Sequence, residues 1–388
     1  MKARGSFSKN WEKKAKNNES AHLGEEKIRA YPEIFQHDLI SHFLDSHTMF
    51  CYYTSMNSRA ASRENFNESY DNYKKKLEKR LGTFASVREP RIVYEPIRYT
   101  LATGGKRFRA VLVLLACEAA GGKIHRAIHA AAAMEVLHNF TLVHDDVMDN
   151  AELRRGKPTV HVKWDANVAI LSGDEMIAQA YAMLLQTSSP RMMNILGVYT
   201  DALVQVCEGQ GFDKEFERRH SVTLDEYYRM ISKKTGVVIA AAAEIGAIIG
   251  SKADRTVSAL RIYGQYLGRS FQIRDDYLDV MGTKKEFGKN IGGDIYEGKK
   301  TYLLLKALQA AKGGDRKLLR SVIPGNRLDA RNVESIRHIY MRTGAVEAAK
   351  KEICRCTRKA KEALKPIRHS RSRDLLVWLA DQLSARTS

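Results

Sequence analysis

The chain has 388 residues, 44% of them hydrophobic and 28% charged, with a formal net charge of +19. That much apolar material fills one large or two modest packed domains and excludes a disordered or fibrous chain. The five cysteines, Cys51, Cys117, Cys207, Cys354 and Cys356, are an odd number without CxxC spacing, which argues against a disulfide framework or zinc site and for a reducing cytoplasm.

In chain order, residues 1 to 55 carry scattered aromatics (Tyr31, Phe35, Phe43, Phe50, Tyr52, Tyr53) without a sustained period, and are expected to form an appendage. The early positive charge is followed by no apolar core of signal-peptide length. Met56 precedes NSRAASRENFNESYDNYKKKLEKRLGTF, a capping-type polar start and then a helical run rich in Lys, Glu and Leu. That makes Met56 a candidate start of translation, and mass spectrometry of peptides from residues 1 to 50 would decide it. From 56 to 388 no low-complexity linker or short repeat appears, only helical segments joined by clusters such as ATGGKR, TSSP and GTKKEFGKNIGGD. One domain is expected over 56–388.

Only seven prolines occur, and the stretches 97 to 157 and 191 to 323 have none, so long uninterrupted helices are allowed. IHRAIHAAAAMEVLHNFTLVHDDV and YYRMISKKTGVVIAAAAEIGAIIG are rich in helix formers and lack the alternation of a half-buried strand. The fold class expected is all-α. The most apolar run, VVIAAAAEIGAIIG, falls short of the ~20 residues of a membrane span and contains Glu244, so a buried bundle helix is expected there.

Two stretches share one pattern: FTLVHDDVMDN at 140–150 and FQIRDDYLDVMG at 271–282 are apolar helical runs ending in DDxxD. On a helix Asp145 and Asp149 share a face, as do Asp275 and Asp279, with Asp146 and Asp276 roughly 100° around. Like charges so spaced repel, and a single cluster would pass for a solvated acidic face. Two clusters at the ends of apolar runs instead suit hard divalent cations, above all magnesium, which takes one or two carboxylates together with substrate phosphates and waters. Nearby cations fit phosphate: Lys106, Arg107 and Arg109 in GGKRFR, Arg154 and Arg155 in LRRGKP, Lys299 and Lys300 in DIYEGKKT. GGKR lacks P-loop spacing, no GxGxxG follows a strand, and neither a nucleophile elbow nor HExxH occurs. His138, His144 and His161 read as packing groups, since magnesium does not favour imidazole.

From residue 312 onward 19 Lys and Arg face 8 Asp and Glu. There the charge interleaves with Leu, Ile, Val and Ala as on an amphipathic helix and matches no nucleic-acid module. A solvated basic face is expected, with at most weak association with anionic membrane surfaces.

Taken in order, GGKRFR, DDVMDNAELRRGKP, KKTG, FQIRDDYLD and GKNIGGDIYEGKKT resemble the five signature regions of the trans-isoprenyl diphosphate synthases, over roughly residues 70 to 388. That family includes the farnesyl and geranylgeranyl diphosphate synthases. The resemblance implies an all-α isoprenoid-synthase fold, usually homodimeric: a single helical bundle around a deep apolar cavity, with the Asp clusters facing each other across its mouth. It implies a cytoplasmic prenyltransferase that joins isopentenyl diphosphate head-to-tail to an allylic diphosphate by ionisation, condensation and elimination. Carried over by resemblance, Asp145, Asp146, Asp149, Asp275, Asp276 and Asp279 would hold magnesium, three ions when substrate is bound. Arg154, Lys234 and Lys299 would contact the allylic diphosphate. Lys106, Arg109, His138 and Arg155 would form the isopentenyl diphosphate pocket, and Thr235 and Gln272 would lie beside the carbocation. One departure, Ala110 where the family often has proline, is expected to matter little.

Product length falls to the residues before Asp145. Ideal geometry stacks Leu137, Thr141, Asp145 and Asp149 in one row with Phe140 to the side, so geometry alone makes Thr141 the wall. The resemblance makes Phe140 the limit, and a bulky Phe140 with a small Thr141 is similar to geranylgeranyl (C20) synthases. Farnesyl (C15) and longer products stay open, as does Phe140 as ordinary core. Among rivals, a terpene cyclase or head-to-head enzyme needs no isopentenyl site, a silent partner subunit would lose Asp-rich residues, and a nucleic-acid-binding protein has only net charge in its favour.

Overall fold

The computed structural model describes residues 65–83, 88–282, 292–322 and 330–384. The expected appendage at 1–55 and the candidate start at Met56 lie outside the described residues. Phe66–Ser388 forms a unit of its own.

The amino-terminal half runs through α1 (residues 65–83), α2 (Arg91–Ala102), α3 (Phe108–Ala119) and α4 (Ile124–Met148). A two-residue hairpin follows, β1 (Leu153–Arg154) paired antiparallel with β2 (Lys157–Pro158). Next come α5 (Val160–Lys163), α6 (Ala166–Leu184), α7 (Met192–Arg218) and α8 (Leu224–Ile231). One π turn, Ser232–Gly236, leads into α9 (Val237–Gly250) and α10 (Asp254–Met281). The remainder is α11 (Gly293–Tyr296), α12 (Tyr302–Ala310), α13 (Gly313–Arg320), α14 (Ala330–Arg342), α15 (Ala345–Ala363) and α16 (Arg371–Ser384). The longest helices, α4, α7 and α10, have 25, 27 and 28 residues, and all three lie in the proline-free stretches, where no missing N–H interrupts the ladder.

Two helices are apolar on every side and therefore central. Residues Ala110 to Cys117 of α3 are fully buried, and Ile239, Ala242, Ala243, Ile245 and Ala247 hold the same position on α9. α3 packs on α9, α9 on α10, α4 on α6, and α10 on α15. One apolar cluster surrounds α3, α4 and α9, and a second joins the end of α10 to α12, α14 and α15. Helix starts are set locally: Asp165 caps α6 by accepting from the Val168 N–H, and Thr223 with Glu226 closes a capping box on α8.

Among the described residues no helix is long and apolar enough to cross a membrane. On α15, Lys351, Arg358 and Lys359 are exposed while Ile353, Cys356 and Ala360 are buried, the amphipathic arrangement expected for the basic tail. Cys117, Cys207, Cys354 and Cys356 are free thiols.

Candidate active site

A cavity of about 570 Å³ opens between α4, α7, the π turn and α10. Its lining mixes apolar side chains, among them Phe140, Val206, Val238 and Phe271, with Asp145, Asp275, Arg109, Arg154, Arg155 and Lys234. The two Asp-rich runs thus each send one carboxylate to a single cavity. α4 stops at Met148, leaving Asp149 as its C-cap with φ −96°.

The six aspartates are not equivalent. Asp145 and Asp275 line the cavity. Among the described residues none donates a hydrogen bond to Asp145, and Arg274 stands 3.7 Å from Asp275. Burial pushes the Asp145 carboxyl up to about 6, against the pull of Lys234 and with Asp149 adding to it. Burial does the same to Asp275, up to about 6, although Arg274 and Arg109 oppose it. Asp149 is exposed and bound by Lys214 at 2.7 Å; burial works against its charge, but Lys214 outweighs burial and holds it below the ordinary carboxylate range.

The other three are anchored. Asp146 is buried and takes a forked grip from Arg154, whose Nε donates at 2.8 Å and whose Nη2 lies at 2.7 Å. Asp276 accepts from the Tyr227 hydroxyl at 2.7 Å, the Tyr302 N–H at 2.9 Å and the Gln272 amide at 3.1 Å. Burial, with Asp294 adding, still pushes its carboxyl up to about 7. Asp279 accepts from the Asp294 N–H at 3.1 Å, and burial and then Asp294 raise it. The shared-face geometry expected from spacing therefore sets direction but not role, because neighbouring donors capture four of the six, Asp146, Asp149, Asp276 and Asp279.

The π turn delivers KKTG. Its extra residue per turn rotates Lys234 and Thr235 toward the cavity, a device common at functional sites. Lys234 pairs with Asp213, and the Thr235 hydroxyl donates to Gln272 Oε1 at 2.7 Å. A hydrogen-bonded chain thus runs Thr235–Gln272–Asp276–Tyr227. Beside it, a cleft of about 100 Å³ is lined by Asp213, Asp276, Asp294, Lys234 and Lys299. Burial opposes the charge of Lys299, but Asp294 and Glu297 outweigh it and keep the amine protonated.

At the opposite side Arg109 meets His138, Nη1 to Nε2 2.9 Å. Burial and then Arg109 hold His138 well below its ordinary value, so it is a neutral imidazole. Arg155 donates to the Gly104 carbonyl, which brings LRRG against GGKR. Lys106 does not line the cavity; its charge acts on Asp275. Arg107, counted above among the phosphate-facing cations, turns inward and is 3% exposed. Phe140 and Thr141 both line the cavity; Phe140 packs edge-on against His144 at 4.9 Å. His144 also lines the cavity, with Nε2 3.1 Å from the Ile170 carbonyl.

Spacing alone missed Gln210, Asp213 and Lys214, which follow one another at i, i+3 and i+4 on α7. Gln210 is conspicuous: both its amide atoms are buried without a partner among the described residues while it lines the cavity. The i, i+3, i+4 repeat was the available signal. Asp294 and Tyr227 had none, since only the fold brings them to Asp279 and Asp276.

The carboxylates fit a divalent ion that phosphate completes. Among the described residues no three His, Cys, Asp or Glu side chains could cage an ion by themselves, and magnesium needs only one or two carboxylates when phosphates and waters supply the rest. Asp145 and Asp275, charged groups with little compensation at a cavity wall, are the acceptors in need of such a cation.

A cavity lined by apolar side chains together with Asp145, Asp275 and several basic groups, in an all-helical bundle, fits the isoprenoid-synthase class. Residues 90–341 match the family model polyprenyl synthetase, and the chain belongs to that family. It is 39% identical over 310 residues to a short chain isoprenyl diphosphate synthase of Methanothermobacter thermautotrophicus, covering 80% of this chain and 95% of that one. It is 41% identical over 300 residues to a geranylgeranyl pyrophosphate synthase of Geoglobus acetivorans, covering 77% and 92%. The crystal structure of geranylgeranyl pyrophosphate synthetase from Pyrococcus horikoshii superposes with a TM-score of 0.80 at 35% identity, covering 84% of this chain and 99% of that one.

Proposed function

We propose that the protein condenses isopentenyl diphosphate with an allylic diphosphate in magnesium-assisted, head-to-tail fashion, giving geranylgeranyl diphosphate. The observation that carries this is the convergence of Asp145 and Asp275, from separate helices, on one half-apolar cavity that also receives Arg109, Arg154, Arg155 and Lys234. Magnesium, three ions with substrate bound, would neutralise the leaving diphosphate and stabilise the charge it gains. Lys234, Arg154 and Lys299 orient that group and take up its remaining charge. The Thr235 hydroxyl and the Gln272 amide oxygen offer dipoles beside the carbon that loses it. Arg109, Arg155, Lys106 and the neutral His138 hold isopentenyl diphosphate so that its double bond meets the allylic carbon at close range. The allylic C–O bond breaks, a C–C bond forms, and the proton lost from the new chain leaves with the diphosphate. Phe140, Val206, Val238 and Phe271 exclude the water that would quench the cation.

A C20 product is supported by a bulky Phe140 beside a small Thr141 in the cavity lining and by the geranylgeranyl synthases among the relatives. The catalytic domain runs from 56 to 388, residues 1–55 standing outside it. The exposed Ile170 and Leu171 of α6, Leu185 at its C-cap, and Met193 and Val204 of α7 support a homodimer. The deciding assay supplies labelled isopentenyl diphosphate, magnesium and, separately, C5, C10 and C15 allylic diphosphates, then resolves the dephosphorylated products by length. C20 is expected from each primer; a shorter or longer end product overturns the length, and no incorporation overturns the reaction.

A further inference from the structure

We propose that Arg107 is a positioning residue: buried between two glutamates, it fixes the loop that presents Lys106 and Arg109 to isopentenyl diphosphate. The proposal rests on the pocket assignment above. Three observations carry it.

The first is where Arg107 points. Its side chain is 1% exposed, with Nη1 3.0 Å from Glu135, itself 3% exposed, and Nε 2.8 Å from Glu78. Nη2 donates to the Leu101 carbonyl. One guanidinium therefore ties α1, α2 and α4 together, and α4 is the helix that carries Asp145. A buried ion pair is weak evidence for stability, since apolar residues of like volume often do as well. Its fixed geometry is what apolar packing would not supply.

The second is the backbone. Arg107 has φ 53°, a left-handed conformation that long side chains adopt only when their surroundings compel it. This residue is the N-cap of α3, so its twist sets the direction in which Lys106 leaves the loop and Arg109 enters the helix.

The third is the far side of the loop. Arg155 donates to the Gly104 carbonyl, and a Cβ on Gly105 would lie 2.7 Å from the Arg155 guanidinium. The segment is gripped from the cavity by Arg155 and from the core by Arg107. Asn139 completes the inner grip, donating to Glu135 Oε1 at 3.1 Å.

The test is steady-state kinetics of the full chain with magnesium, varying each diphosphate in turn. Arg107→Met combined with Glu135→Gln removes both buried charges without orphaning either, and a melting curve checks that it folds. The expected result is a KM for isopentenyl diphosphate raised at least about tenfold, with the allylic KM within about twofold of wild type. Arg107→Lys, which keeps the charge but not the fork, should fall between. Should the double variant not fold, Glu135→Gln alone is read by the same split, with a smaller shift expected. An isopentenyl KM within about twofold of wild type in a folded variant, or both KM values rising together, overturns the positioning role. A wild-type protein that incorporates no isopentenyl diphosphate overturns the earlier reading instead.

Discussion

Asp145 shows what a half-buried carboxylate costs when no described residue donates a hydrogen bond to it. Its pKa in the fold is about 6, against an ordinary 3.8. Between those values the folded chain keeps a proton that the unfolded chain has lost. This group's contribution to stability therefore falls as pH rises from about 4 to about 6 and stays low above that. Asp145→Asn should melt no lower than wild type at pH 8 without metal, while turnover falls by about 10²–10³-fold. A clear loss of metal-free stability at pH 8 would mean that the carboxylate is held by protein partners after all. Asp276 makes the contrast, being 4% exposed and satisfied by three donors. Tyr227→Phe strips one of them and should cost about 1.5–3 kcal/mol in denaturant unfolding. At this scale the sequence was partly legible. DDVMD and DDYLD announced themselves by charge density beside apolar runs, but which carboxylates would stay open was decided by Arg154 from the hairpin just beyond α4 and by Tyr227 and the Asp294 N–H, whose approach only the fold sets. GGKRFR likewise offers three cations, and nothing in its spacing says that the middle one turns into the core.

Among elements, the α4–α6 contact reaches the cavity through one lining residue of α4, His144. A Cβ on Gly173 of α6 would lie 2.2 Å from Nε2 of His144, and the His144 ring supports Phe140 edge-on. Gly173→Ala should therefore displace His144, free Phe140 and alter the product-length profile, at a stability cost of about 1–3 kcal/mol from overpacking. Chromatography of dephosphorylated products would show it, and an unchanged profile in a folded variant would separate His144 from length control. Phe140→Ala is expected to lengthen the product; if length stays fixed, Phe140 is core and not floor. The long helices were readable because proline is absent where they run. Gln210, Asp213 and Lys214 were not, because a polar repeat on α7 looks like any solvated helix face until the opposing helix is known.

Across the whole molecule, every residue assigned a role above lies in one unit, Phe66–Ser388. A chain beginning at Met56 should match full-length turnover within about twofold, since every residue assigned a role lies beyond it. A large loss in a folded truncation would give residues 1–55 a share in the reaction. The class of fold was readable at this level from proline spacing and helix-forming composition, and the family from five motifs in order. How those motifs meet was not, because the central burial of α3 and α9 depends on packing across the full chain.

The widened turn at Ser232–Gly236 has a last consequence. Each residue of an α-helix advances the chain by about 100°, so the surplus residue sets the phase of everything after it, from Val238 facing the cavity to the buried face of α9. Deleting a single residue there would spin Lys234 and Thr235 away from the substrate or rotate the core face of α9 outward. Relatives should therefore keep the length of this stretch as strictly as the KKTG side chains it presents.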